Sequence, residues 1–223
     1  WYPYVPPTAG PDGAVYVGSI GTIYRISPEG VIDWEYNPPD GINIEVSPTI
    51  GPDGLLYGAF ELSGAFAIEP QTGQVVWENP GNPVMTDKSG DATTAVFGPS
   101  GPGQPDDRFY LSMDGGAGFY AFSLDGEQLF TSSFGNIKGT TEVAIGSDGT
   151  IYGPRSIGLL VAAVEPNAGT TLWEYFPQWA VGTDHVEIGP DDTLYFRSDG
   201  GSKIEAFDPD SESPKWKTAS EYA

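Results

Sequence analysis

The sequence predicts an all-β protein, and two observations support the prediction. An aromatic residue recurs at fixed spacing: the intervals from Trp34 to Trp77, from Phe130 to Trp173 and from Trp173 to Trp216 are each 43 residues, and the interval from Trp77 to Phe130 is 53. The chain also contains 31 glycines and 21 prolines, which would interrupt long helices. A period of roughly 40–50 residues built of short strands is typical of the blades of a β-propeller.

Each repeat carries a tight-turn signal upstream of its aromatic residue. Asp can bond back to its own backbone in such a turn, and Gly accepts positive φ. Strands A and B therefore flank the turn, strand C follows, and strand D carries the aromatic residue. The turns lie in "AGPDGAVYVG" (9–18), "TIGPDGLLYGAF" (49–60), "AIGSDGTIYG" (144–153) and "EIGPDDTLYF" (187–196), with a stretched version in "VFGPSGPGQPDDRFYLS" (96–112).

We interpret residues 1–223 as a single β-propeller domain or a propeller segment. The segment "WYPY" (1–4) resembles "WEYNP" (34–38), which suggests the last strand of a preceding blade. A segment of a larger ring and a complete five-bladed ring both remain open. The predicted four-stranded antiparallel blades are approximately 5–36, 45–79, 93–132, 141–176 and 184–218.

Residues 47–78, "SPTIGPDGLLYGAFELSGAFAIEPQTGQVVWE", resemble the blade repeat of the quinoprotein-like propellers, also called the PQQ-like repeat. Ala67, Thr72, Gly73 and Trp77 match the family pattern, and Glu69 stands where the family has Asp. The resemblance implies a propeller, commonly of seven or eight blades. The family includes quinoprotein alcohol dehydrogenases and also outer-membrane assembly lipoproteins that bind no quinone.

The chain contains no cysteine, which excludes disulfides, thiolate metal sites and a cysteine nucleophile. The quinone-using members of the family carry an adjacent cysteine pair over the cofactor, and this chain has none. It also has no c-type haem motif. We therefore expect no quinone, no haem and no other cofactor, and we assign the resemblance to the branch of the family that does not bind quinone.

The recurring aromatic residues are predicted to be structural. Each would be a wedge between neighbouring blades, because a large ring buries much apolar surface and an indole N–H can donate to a backbone carbonyl. A small residue opposite the ring would let the blades approach closely. The predicted docking residues are Trp34, Trp77, Phe130, Trp173 and Trp216.

The charge of the chain limits its partners. With 31 acidic and 9 basic residues the formal net charge is −22, which opposes binding to nucleic acid and to anionic membranes. No apolar run approaches the roughly 18 residues that span a bilayer, so we expect no membrane insertion. Two interpretations of the acidity remain: a solvated surface of a salt-adapted or secreted protein, or specific binding of calcium.

The repeat alignment predicts a polar ring at one mouth of the central channel, where the innermost strands begin. A mouth lined with one sign of charge concentrates counter-ions. His185 is the only histidine, so the chain alone cannot build a three-histidine metal site, and we predict no metal centre. The candidate ligand-binding residues are Glu45, Asp91, Glu142, Asp184 and His185.

Two functional classes fit these observations. The first is a non-catalytic, extracytoplasmic scaffold for binding or assembly, located outside the cell, at its surface or in the periplasm. Its partner would be a protein or the rest of a larger propeller chain. The alternative is a propeller-based carbohydrate-active enzyme, a polysaccharide lyase or a glycosidase, that binds glycan at the channel mouth. The absence of catalytic motifs favours the scaffold.

Overall fold

The computed structural model describes residues 6–19, 21–39, 44, 47–60, 64–79, 94–112, 119–132, 143–155, 160–176, 186–198 and 202–218. Within these ranges the chain forms twenty strands in five four-stranded antiparallel sheets, and it contains no α-helix. The same ranges hold no helix that is long and apolar enough to cross a membrane. The all-β prediction is therefore confirmed.

In each sheet the four strands pair in chain order, so strands A, B, C and D form a simple meander. The first blade comprises β1 (Thr8–Ala9), β2 (Val15–Ser19), β3 (Thr22–Ile26) and β4 (Ile32–Tyr36). The second comprises β5 (Thr49–Ile50), β6 (Leu56–Ala59), β7 (Ala65–Ile68) and β8 (Val75–Glu78). The third comprises β9 (Val96–Pro99), β10 (Asp106–Ser112), β11 (Phe119–Ser123) and β12 (Gln128–Ser132).

The last two blades follow the same order. The fourth comprises β13 (Ala144–Ile145), β14 (Ile151–Arg155), β15 (Leu160–Val164) and β16 (Thr171–Tyr175). The fifth comprises β17 (Val186–Ile188), β18 (Leu194–Ser198), β19 (Lys203–Asp208) and β20 (Ser213–Lys217). Strand A has only two residues in three of the blades, because the A–B turn begins immediately after it.

The A–B turns have the chemistry that the sequence predicts. In four blades an Asp carboxylate accepts the N–H two residues ahead, as Asp53 does from Leu55 at 3.1 Å. In the fifth blade Asp192 replaces the turn glycine and takes φ +57. Its carboxylate accepts the backbone N–H of Ser147 at 2.9 Å and the hydroxyl of Ser147 at 2.6 Å, and thereby ties the fifth blade to the fourth.

A β-bulge interrupts the pairing of strands C and D at the same place in every blade. In the second blade it follows Ala67, which pairs with Trp77, and the register shifts before Ile68 pairs with Val75. Matching shifts occur in the other four blades. A bulge re-aims side chains and increases local twist. Its position next to the aromatic residue sets the direction in which that ring leaves the sheet.

The hydrophobic core lies between the blades. One cluster of buried side chains joins the first three blades, a second joins the third and fourth, and a third joins the fourth and fifth. Strands B and C supply most of these side chains, and all four residues of β6 and of β7 are buried. Strand D alternates between half-buried and exposed positions, as in β8. We call each interface between neighbouring blades a seam.

Candidate functional site

Trp77 shows how an aromatic wedge joins two blades. Its indole Nε1–H donates to the carbonyl oxygen of Leu124 in the third blade at 2.8 Å. The ring covers Gly126, where an added Cβ would come within 2.6 Å of the indole. Gly126 also has φ +84, so this turn excludes a side chain for two reasons. We call such a carbonyl and glycine, taken together, a wedge site.

The first seam repeats this arrangement with one change. Trp34 donates Nε1–H to the carbonyl oxygen of Pro70 at 3.0 Å and covers Gly73. Arg25 stands opposite Trp34 on strand C, whereas Ala takes this position in the other four blades, as Ala67 does. The expectation of a small residue opposite each ring is therefore wrong in the first blade.

Arg25 is nearly buried and centres a polar network across the first seam. Its Nη2 donates to Asp12 Oδ2 at 2.5 Å and to Gln71 Oε1 at 3.3 Å, and its guanidinium also pairs with Asp33. Gln71 of the second blade donates to Asp12 Oδ2 at 3.0 Å. Hydrogen bonds from Gln71 and Arg25 lower the pKa of Asp12 to about 2. The Asp12 carboxylate thus acts as the charged acceptor of this seam.

Phe130 is the wedge of the third seam. Its ring lies over Gly169, where an added Cβ would approach it to 2.5 Å. A phenyl ring has no N–H to donate. Arg108 supplies the missing donor, since its Nη1 donates to the carbonyl oxygen of Pro166 at 2.6 Å. Pro166 holds the position of the wedge site that Pro70 holds in the second blade, so an arginine replaces the indole.

The fourth seam uses a modified wedge site. Trp173 packs against Phe207 of the fifth blade at a ring-centroid distance of 5.3 Å. The glycine of the wedge site is replaced by Glu212, which takes φ +50. Because Glu212 carries a Cβ where the other sites have none, the ring of Trp173 cannot lie over this turn as Trp77 lies over Gly126.

A buried carboxylate accepts a hydrogen bond across the fourth seam. Glu205 is fully buried, its Oε1 accepts the hydroxyl of Tyr175 at 2.5 Å, and its Oε2 lies 2.7 Å from Lys217 Nζ. A buried charge is tolerated when it is paired and hydrogen-bonded. At the first seam the corresponding hydroxyl, that of Tyr36, donates to Glu78 at 2.6 Å. Tyrosine two residues after the wedge therefore binds a carboxylate of the next blade at both seams.

The predicted channel-mouth residues lie outside the described residues. These are Glu45, Asp91, Glu142, Asp184 and His185, and their roles and the binding of calcium stay predictions. Among the described residues no group of three or more histidine, aspartate or glutamate side chains could hold a metal ion.

The described part of the channel is lined by the innermost strands of the last three blades. They enclose a cavity of about 310 Å³. Its described lining residues have apolar side chains except for Glu187, and they are Val96, Phe97, Val143, Ala144, Ile145, Val186, Glu187 and Ile188. These walls offer no second acid or base beside Glu187.

Trp216, the fifth predicted docking residue, lies on a face that the described part of the chain leaves uncovered. Its side chain is 49% exposed, and so is that of Ile204 beside it. Tyr195 contacts Trp216 at a ring-centroid distance of 6.0 Å. Tyr195, Ile204, Arg197 and Glu187 line a groove of about 440 Å³. We call these five residues the fifth-blade face.

The fifth-blade face differs in composition from the faces that form seams. Arg197 pairs with Ile204, and the corresponding pair in the second blade is Ala59 with Ala65. Both alanines are fully buried by the third blade. The first, third and fourth blades carry an apolar residue larger than alanine at the position of Ile204, so the fifth-blade face differs from the seams in the exposed cation of Arg197, which stands where the seams have Gly, Ala, Ser or Pro.

The described residues also leave the opposite end of the row of blades uncovered. The face of the first blade that points away from the second carries Val15, Val17, Tyr24, Ile26 and Ile32, and we call it the first-blade face. Four of these side chains are half-buried, and Ile32 is 57% exposed. Its wedge site is empty: within the described part of the chain, no atom lies within 4 Å of a Cβ added at Gly30.

Comparison with known proteins places the fold. No family model and no curated protein matches the chain. The chain is similar to virginiamycin B lyase from Staphylococcus aureus, with a TM-score of 0.68 and 19% identity over 95% of this chain and 68% of the lyase. It is similar to BamB from Moraxella catarrhalis, with a TM-score of 0.63 and 14% identity over 96% of this chain and 63% of BamB.

A streptogramin B lyase gives a TM-score of 0.65 and 13% identity over 95% of this chain and 66% of that chain. These neighbours are β-propellers, and the prediction of a β-propeller is confirmed. At such identities the likeness shows the fold alone.

The functional residues that sequence reasoning missed lie at the seams and on the open faces. Phe130 could have indicated the hydrogen bond made by Arg108. A phenyl wedge has no N–H to donate, so another side chain must supply the donor. The "PDD" of residues 190–192, in place of Pro-Asp-Gly, was a usable signal for the contact of Asp192 with Ser147. No signal in the sequence distinguishes Trp216 from the half-buried wedges of the seams.

Proposed function

We propose that this chain is a non-catalytic β-propeller that acts as a binding or assembly scaffold outside the cytoplasm, and that the fifth-blade face contacts its protein partner. The exposure of Trp216 carries the proposal. It has the strand context of a wedge, yet half of its side chain is open to solvent.

The composition of the fifth-blade face supports a protein partner. Trp, Tyr and Arg are the residue types that contribute most at protein interfaces, and this face carries Trp216, Tyr195 and Arg197 around the apolar Ile204. Clustered apolar side chains with a polar rim mark interaction sites on soluble domains. Glu187 and Arg197 provide such a rim.

The alternative function is a carbohydrate-active enzyme whose acid and base lie at the channel mouth, among Glu45, Asp91, Glu142 and His185. Among the described residues that line the channel cavity, Glu187 is the one with an ionisable side chain, which supports preferring the scaffold. Incubation with a panel of polysaccharides and measurement of released sugar test this alternative. Product formation that is lost in Glu142→Gln would replace the scaffold by the enzyme.

Site-specific photocrosslinking tests the scaffold. Benzoylphenylalanine is placed at position 216 and, separately, at position 204, and each protein is irradiated with the extracytoplasmic fraction of the producing cells. The control is the same residue at position 172, because Leu172 is 53% exposed on strand D of the fourth blade.

We expect one discrete protein adduct from positions 204 and 216 and none of that size from position 172. The adduct must also form with the purified partner after its identification. Equal and diffuse adducts at all three positions would contradict the proposal.

A further inference from the structure

The fifth-blade face carries an exposed wedge, Trp216, and the first-blade face carries an empty wedge site at Gly30. We infer that the fifth-blade face of one copy binds the first-blade face of another, with Trp216 seated at the wedge site of Pro28 and Gly30. This inference rests on the proposed function and names its partner: a second copy of this chain.

The empty wedge site in the first blade has the same construction as a filled one. Gly30 N–H donates to Ser27 O at 2.9 Å, and Ser27 N–H donates to Val31 O at 2.8 Å. In the third blade Gly126 N–H donates to Ser123 O at 3.0 Å, and Ser123 N–H donates to the residue after Gly126 at 2.9 Å. This turn of the third blade is the wedge site that binds Trp77.

The acceptor for an incoming indole follows from this match. Trp77 donates to the carbonyl of Leu124, which is the residue after Ser123. The residue after Ser27 is Pro28, so its carbonyl is the matching acceptor. Gly30 has φ +81 and open space where a ring would lie, as the glycine of a wedge site requires.

The exposed side chain of Trp216 already has the strand pairing and the ring contact that Trp77 has at its seam. Trp216 pairs with Ala206 as Trp77 pairs with Ala67, and the β-bulge follows both alanines. The ring of Trp216 lies 6.0 Å from that of Tyr195 at 51°, and the ring of Trp77 lies 6.0 Å from that of Tyr57 at 62°. In both blades a tyrosine of strand B contacts the tryptophan ring and orients it. Docking therefore requires little reordering of the Trp216 side chain.

Apolar surface on both sides provides the driving force. The first-blade face offers Val15, Val17, Tyr24 and Ile26, which correspond to side chains of the second blade that its seam buries, such as Leu56 and Ile68. Such a contact joins two different surfaces, so each added copy leaves one face of each kind open and association continues beyond the dimer unless a ring closes.

The net charge opposes this association. Each copy carries −22, and like-charged molecules repel at low ionic strength. Salt screens that repulsion, with a Debye length of about 10 Å at 0.1 M and about 3 Å at 1 M. Association of copies should therefore strengthen as sodium chloride rises, which is the opposite of the response of contacts held by ion pairs.

Two single variants and their mixture test the inference by sedimentation velocity in high salt. Trp216→Ala removes the wedge and leaves the first-blade site intact. Gly30→Asn puts a side chain into the wedge site, and asparagine tolerates positive φ. Matched controls are Leu172→Ala, which removes exposed apolar surface elsewhere, and Gly103→Asn, because Gly103 has φ +71 and no described atom near an added Cβ.

We expect the wild type and both controls to associate with increasing concentration, and each single variant to associate at least tenfold more weakly. An equimolar mixture of the two variants should form a dimer and nothing larger, since one intact face of each kind remains. A mixture that stays monomeric overturns the inference, and so does a wild type that is monomeric at all concentrations.

Quenching and crosslinking results distinguish failure of this inference from failure of the proposed function. The fluorescence of Trp216 is taken as the difference between the monomeric wild type and Trp216→Ala. If that difference signal is protected from acrylamide quenching and becomes accessible in Gly30→Asn, the chain closes on itself, and both the inference and the exposed fifth-blade face are wrong. If copies do not associate but position 216 crosslinks to a different protein, only the inference is wrong.

Discussion

Arg108 and Pro166 are joined across the third seam by a hydrogen bond of 2.6 Å, at the one described seam whose wedge is a phenylalanine. Replacing Arg108 by Met should destabilise the fold by about 1–3 kcal/mol, because the buried carbonyl of Pro166 would lose its donor. Urea unfolding followed by circular dichroism measures the change.

Restoring an indole at the same seam should offset that loss. Phe130→Trp in the Arg108→Met background returns an N–H donor close to Pro166, so the double variant should be more stable than Arg108→Met alone. A double-mutant cycle isolates this coupling. Strictly additive effects would show that the two side chains do not share an acceptor.

Trp77, which packs at a seam, and the exposed Trp216 should differ in their contribution to stability. Trp77→Ala should cost up to about 3 kcal/mol, the lower end of the range for large aromatic residues in cores, because its half-buried ring packs at the second seam. Trp216→Ala should cost far less in dilute protein at low salt, because half of its ring is already in water. Thermal unfolding of the two variants under identical conditions makes the comparison, and equal losses would contradict the assignment of Trp216 to an open face.

Substitution by glycine should change stability differently at the two described non-glycine residues with positive φ. Glu212→Gly should stabilise the protein by up to about 1 kcal/mol, because left-handed backbone is costly for a residue with a Cβ. Asp192→Gly gains the same relief but loses two hydrogen bonds with Ser147, so it should be neutral or destabilising. The melting temperatures of both variants test this, and stabilisation by both would remove the role of Asp192 at the seam.

The stability of the first seam should depend on pH through Asp12. Its pKa is about 2 in the folded protein, below the ordinary value of 3.8, because Gln71 and Arg25 donate to the carboxylate. The contribution of the Asp12 charge to the free energy of unfolding is therefore present above pH 4 and is lost as the pH falls through about 2. Asp12→Asn, which keeps an acceptor for the turn, should be less stable than wild type at neutral pH.

The gap in unfolding free energy between wild type and Asp12→Asn should close as the pH falls from 4 towards 2. Urea unfolding at a series of pH values measures it. A gap that stays constant over that range would show that the carboxylate charge does not act at this seam.

The sequence is sufficient to predict the repeated parts of the fold. A wedge at intervals of 43 residues, or 53 across the third blade's insertion, and an Asp-containing turn before strand B in four blades define the repeat, because the same backbone geometry needs similar residue types each time. These signals are local, and each depends on at most about a dozen consecutive residues.

The contacts between blades could not be predicted in the same way. Arg108 and Pro166 are 58 residues apart, and their relation depends on the angle between two sheets. The exposure of Trp216 depends on what lies beside its blade, and its own segment closely resembles the buried ones. The residues of the channel mouth were predicted only from alignment of the repeats, which gives no distance between them.

The polar contacts at the described seams also distinguish individual blades from one another. Repeat chains misfold when a unit pairs with the wrong neighbour, and near-identical units make such errors easy. Here a mispaired first blade would bury Arg25 without Gln71, and a mispaired third blade would bury Arg108 without the carbonyl of Pro166. Each error removes the partner that a nearly buried arginine has in the next blade, so these polar contacts favour the native order of the blades more specifically than the rings and alanines around them.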